Sequence, residues 1–124
     1  MNKIVLKSHD IAPIQRAAEL LQEDITRPYT ISILAREVGI NTFKLSSGFK
    51  QLYKLTIFQF RLKLRLKLAV QLLEDTDFSI KQIAYKTGFD SRDSLARVFK
   101  QKLGRSPSQW RSSNCSVSIR EPFI

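Results

Sequence analysis

Four side chains in the C-terminal third of the chain have the types and spacing to read nucleic-acid bases. Arg92, Asp93, Ala96 and Arg97 recur at i, i+1, i+4 and i+5, one face of a single α-helix. A guanidinium matches the O6/N7 acceptor pair of guanine, and a carboxylate accepts from cytosine N4 or orients a neighbouring arginine. Fifty residues earlier, Thr42, Phe43, Ser46 and Ser47 repeat the same spacing. They offer short hydroxyls and methyl contact to thymine, with no long bidentate reader. Phe43 is open to two readings, a thymine-methyl contact or a small-core residue. Around both sets, Lys44, Lys50, Lys54, Lys100, Lys102 and Arg105 are expected to meet phosphates, which position a protein on DNA without specifying sequence.

Little else in the chain could carry chemistry. His9 and Cys115 are each the sole residue of their type, and no phosphate loop or metal-ligand spacing is present. No enzyme, metal site or cofactor is therefore expected. Lys and Arg number 21 against 11 Asp and Glu, a formal charge of +10 on 124 residues, which implies an anionic partner. The signs are also segregated: residues 38 to 73 and residues 94 to 120 contain no acid. No apolar run approaches a membrane span and no signal-peptide pattern opens the chain. With a lone cysteine, the expectation is a soluble cytoplasmic protein without a membrane partner. An RNA-binding module would expose stacking aromatics, whereas the aromatics here fall mostly at core positions. A membrane-surface helix would leave the capped turns without purpose. A regulator acting through a protein partner is the main competitor to duplex DNA.

Holding a reading face in place requires other helices. Phe78-Ser79 joins a hydrophobic staple to an N-cap with Gln82 at the capping-box position, and Ile80, Ile83 and Ala84 share one face. Gly88 supplies a left-handed C-terminus. Ser91 caps the next helix, whose inner stripe is Leu95, Val98, Phe99 and Leu103; Gly104 stops it and Ser106-Pro107 starts another with Trp110 inward. Two short helices about a tight turn describe a helix-turn-helix.

The pattern occurs twice. Tyr29-Thr30, Ile31, Leu34, Ala35 and Gly39 match Phe78-Ser79, Ile80, Ile83, Ala84 and Gly88 at an offset of 49. After one extra residue in the second turn, Leu45, Phe49, Lys50, Thr56 and Phe60 match Leu95, Phe99, Lys100, Ser106 and Trp110 at 50. Lys54 replaces Gly104 and Ile57 replaces Pro107, so that corner is expected to be built differently. Gly48, inside a helix, suits close packing better than close approach to DNA. An opening helix is expected from an N-cap at Asp10, with Pro13 in its first turn, to about Glu23. Between the repeats, residues 61 to 68 alternate like a strand, but their Leu, Lys, Arg and Gln are helix formers. Phe58, Leu62, Leu66, Ala69 and Leu73, widened by Leu68 and Leu72, make one helical stripe over about residues 58 to 74. Leu64 is left toward solvent or a partner. The acidic turn of Glu74, Asp75 and Asp77 is expected to face away from DNA.

Ser79-Ile80, Ile83-Ala84, Gly88-Phe89, Ser91, Arg97, Phe99-Lys100, Gly104 and Ser106-Pro107 resemble the signature of the AraC/XylS family of bacterial transcription regulators. The run Ile40-Asn41, Lys44-Leu45, Gly48-Phe49 resembles its siderophore-responsive branch. The expected architecture is all-α, with two helix-turn-helix subdomains and about seven helices. The lead-in is 1–9, the first subdomain 10–57, a connector helix 58–76, the second subdomain 77–111 and the tail 112–124, expected to be disordered. About seventeen helical residues rise roughly 25 Å. That is a spacer able to hold two recognition helices about one DNA turn apart. The resemblance implies the same, with double-stranded DNA as partner and RNA polymerase as a candidate second one. It also implies a separate sensing or dimerisation domain if the sequence is part of a longer regulator.

Overall fold

The polypeptide folds into seven α-helices, most of them opened by a side-chain cap, in a computed structural model that describes residues 6–113. They are α1 (Ser8–Glu23), α2 (Ile31–Val38), α3 (Thr42–Tyr53), α4 (Ile57–Asp75), α5 (Ile80–Lys86), α6 (Arg92–Leu103) and α7 (Pro107–Ser112). No strand occurs among the described residues, and the alternating stretch lies inside α4. Of the tail expected from 112, Ser112 ends α7 and Ser113 caps it, and residues 114–124, with Cys115, lie outside the described residues.

The chain divides after Leu62 into two compact units, and each is built the same way. In the first, Thr30 caps α2 by accepting from the Ile33 N–H, and Gly39 closes it at φ 78°. Asn41 then caps α3 through the Lys44 N–H. In the second, Ser79 caps α5 with Gln82 completing the box, Gly88 turns the chain at φ 85°, and Ser91 caps α6 through the Ser94 N–H. Leu34, Leu45 and Phe49 are fully buried in one unit, as are Ile83, Leu95 and Phe99 in the other.

The opening helices also correspond. Ile14, Ala17, Ala18 and Leu21 of α1 are buried at the spacing of Leu66, Ala69, Val70 and Leu73 of α4. Both rows are one helical face packed into its unit. The first turn of α4 has a different counterpart, α7. Thr56 and Gln59 form the capping box that Ser106 and Gln109 form before α7. Phe60 meets Phe49 edge-on at 5.2 Å, as Trp110 meets Phe99 at 5.6 Å. The helix α4 thus closes the first unit with its first turns and opens the second with the rest.

Three expectations change. Asp10 is not the N-cap: α1 begins at Ser8 after Lys7, and the Asp10 carboxylate reaches back from the first turn to accept the Lys7 N–H at 3.1 Å. Pro13 consequently lies within the helix. Phe58 is not part of the buried stripe; it is 75% exposed, because it occupies the place of Ser108 in the repeat, and Ile57 and Phe60 turn inward instead. The Lys54 corner is not built differently. Lys54 adopts φ 65°, against 83° at Gly104, and each donates its N–H to the carbonyl four residues back at 2.8 Å.

Candidate nucleic-acid interface

Each helix-turn-helix buries one side of its second helix and leaves the other bare. On α6, Leu95 and Phe99 are inaccessible, while Arg92, Asp93 and Arg97 are exposed and Ala96 is half-buried between them. On α3, Leu45, Gly48 and Phe49 face inward, Thr42 and Phe43 are exposed, and Ser46 and Ser47 are half-buried. Phe43 is 65% exposed, which removes its small-core reading. The eight side chains singled out as base readers therefore lie on, or at the edge of, the outer face of their helix.

The cations differ in what already holds them. Lys50, Lys54, Lys100 and Lys102 are exposed, and like Arg92 and Arg97 they take part in no ion pair among the described residues. Arg105 lies over the Trp110 ring at 5.7 Å and donates to the Ser113 hydroxyl at 2.9 Å. Lys44 is tied to Asp10, its ammonium 3.4 Å from Oδ1. The Asp10 carboxyl is held below the usual carboxylate range, first by the Lys7 backbone hydrogen bond and then by Lys44 against the opposing effect of burial.

Two arginines that sequence reasoning counted only as positive charge have a different task. Arg61 donates to the carbonyls of Tyr29 and Arg27, both at 2.8 Å. Arg111, fifty residues on, donates to Phe78 at 2.6 Å, Thr76 at 3.1 Å and Leu73 at 3.3 Å. Tyr29 and Arg27 are the repeat partners of Phe78 and Thr76. In each unit one guanidinium fastens the helix after the recognition helix to the turn before the helix-turn-helix. Burial pushes the Arg61 guanidinium below its usual value, though arginine keeps its charge. The readable signal was the recurrence of Arg at equivalent repeat positions.

Comparison with known proteins agrees with this geometry. A family model described as "Helix-turn-helix domain" matches residues 34–113. Regulatory protein SoxS of Salmonella typhimurium is 31% identical over 98 residues, covering 79% of this chain and 92% of that protein. The HTH-type transcriptional regulator AlkR of Acinetobacter baylyi is 31% identical over 88 residues, 71% of this chain and 29% of the regulator. Histidine kinase P4 of Formosa agariphila is 27% identical over 112 residues, and the chain spans 8% of it. Among solved structures, the DNA-binding domain of AdpA in complex with a target DNA has a TM-score of 0.77 at 25% identity, covering 82% of this chain and 91% of that one. An AraC-type regulator from Chromobacterium violaceum also gives 0.77, at 26% identity over 89% of this chain and 98% of that one.

Proposed function

The chain belongs to the AraC-type helix-turn-helix family, and on that premise we propose that it binds specific double-stranded DNA with α3 and α6 in successive major grooves and so regulates bacterial transcription. The observation that carries this reading is the outer face of α6. Arg92, Asp93 and Arg97 stand exposed on a helix whose opposite side is fully buried, in a unit that the chain contains twice. The AdpA domain, similar in fold, was solved with its target DNA. Thr42, Phe43, Ser46, Ser47, Arg92, Asp93, Ala96 and Arg97 are the proposed base-facing set. Lys50, Lys54, Lys100, Lys102 and Arg105 are the proposed phosphate partners. The proposed setting is the cytoplasm, with RNA polymerase as a candidate protein partner.

Base discrimination is assigned mainly to α6, since only that helix carries long bidentate donors on its outer face. A selection of randomised duplexes with wild type and Arg97→Ala tests this. The variant is expected to lose about 1–3 kcal/mol on the preferred site and to relax one or two adjacent base pairs. If six to ten phosphates are neutralised, affinity falls roughly 10³–10⁵-fold between 50 and 200 mM salt. A selection profile unchanged by Arg97→Ala overturns the assignment, and a salt-independent affinity overturns the DNA reading itself.

A further inference from the structure

The carboxylate of Asp10 is the one acid buried among the described residues, its side chain 5% exposed. Three groups approach it. The Lys7 N–H donates to Oδ2 at 3.1 Å, Lys44 Nζ stands 3.4 Å from Oδ1, and Nε2 of the exposed His9 is 3.5 Å from the same oxygen. Lys44 is the only permanent cation of the three. A buried carboxylate deprived of its cation is strongly unfavourable, so drawing Lys44 away from Asp10 carries a cost. Lys44 also sits in the first turn of α3, where the positive end of the helix dipole repels an ammonium, and Asp10 offsets that repulsion.

The surrounding packing keeps the pair together. Leu6, Asp10 and Ile14 recur every four residues, as do Lys44 and Gly48 on α3. A Cβ placed on Gly48 would meet Ile14 Cδ1 at 2.5 Å and Leu6 Cδ2 at 3.1 Å, so the start of α1 lies directly against α3. The second unit lacks the arrangement, since the places of Asp10 and Lys44 fall to Leu62 and Ser94.

We propose that Asp10 is a positioning residue that withholds Lys44 from the phosphate backbone, so that the first unit neutralises one phosphate fewer than its lysines suggest. This rests on the DNA-binding reading and replaces the expectation that Lys44 meets phosphate with a different proposal. Each phosphate contact adds about 0.9 to the slope of log K against log salt, or about 3.5-fold between 50 and 200 mM. The test is the binding of the full chain to one duplex across that range, above the histidine titration range, with folding followed by circular dichroism.

Lys44→Ala is expected to keep the wild-type slope. Asp10→Asn, which retains an oxygen for the Lys7 N–H, is expected to steepen it by about 0.9. Asp10→Asn combined with Lys44→Ala returns it to wild type. A slope shallower by about 0.9 in Lys44→Ala, or an unchanged slope in folded Asp10→Asn, overturns the proposal while leaving DNA binding intact. Should either single variant fail to fold, the double variant decides, since it leaves no unpaired buried charge: a slope shallower than wild type by about 0.9 overturns the proposal. Absence of salt-dependent duplex binding in wild type removes both readings.

Discussion

Phe43 shows how a single residue can be informative in its type and silent in its environment. From spacing alone it fits the core or the outer face, because it lies beside a helix start whose neighbours are small and polar. At 65% exposure in the first turn of α3, it faces outward. Apolar contact with the C5-methyl of thymine is the chemistry that this placement offers. Removing that methyl by substituting uracil in the site is expected to weaken wild type by about 0.8 kcal/mol per position read, roughly fourfold. Phe43→Ala is expected to bind the two duplexes equally. An equal uracil penalty in both proteins would remove Phe43 from the readers. Arg61 and Arg111 are the converse case. Their charge was visible, but nothing in a local window reveals a guanidinium facing backbone carbonyls thirty-odd residues away. Only the alignment of the repeat with itself marks them as equivalent.

At the scale of elements, caps and stops were mostly legible, although Asp10 was wrongly taken for an N-cap and Asn41 was not read as one. Thr30, Asn41, Ser79, Ser91 and Ser106 each accept the backbone N–H three residues on, a local interaction that a sequence states directly. Phe58 was misread because a stripe at helical spacing assumes one buried face along the whole helix, and α4 changes neighbours partway. Gly48 and Lys54, both on or beside α3, give a paired prediction. Gly48→Ala gains about 0.5–1 kcal/mol of helix propensity but forces a methyl onto the fully buried Ile14, and overpacking costs about 1–3 kcal/mol. A lower melting temperature is expected. Lys54→Gly relieves a left-handed residue costing about 1–2 kcal/mol, against about 0.5–1 kcal/mol of glycine entropy, so its melting temperature is expected to rise. Thermal denaturation of the two variants checks both signs. A Gly48→Ala protein as stable as wild type would mean that Ile14 and Leu6 give way.

For the whole molecule, the count of 21 Lys and Arg overstates how many side chains are offered to an anion. Arg16 pairs with Glu19 and Glu23, Arg27 with Glu37 and Lys44 with Asp10, while Arg61 and Arg111 face carbonyls. The surface left for phosphates is narrower than the composition implies, and it includes the exposed Lys50, Lys54, Arg92, Arg97, Lys100 and Lys102. The shared use of α4 reaches beyond recognition. Residues 57 to 62 complete one unit while the buried Leu66, Ala69, Val70 and Leu73 complete the other, with no break in the helix between them. Because the helix is continuous, melting the turns that belong to one unit leaves those of the other with a new free end. Nucleating a fresh helix is unfavourable, so each unit inherits turns already formed by its neighbour. The expected result is that the chain melts as one body despite its two cores, with calorimetric and van't Hoff enthalpies equal. Two resolved heat-absorption peaks would show instead that each half keeps its own melting point.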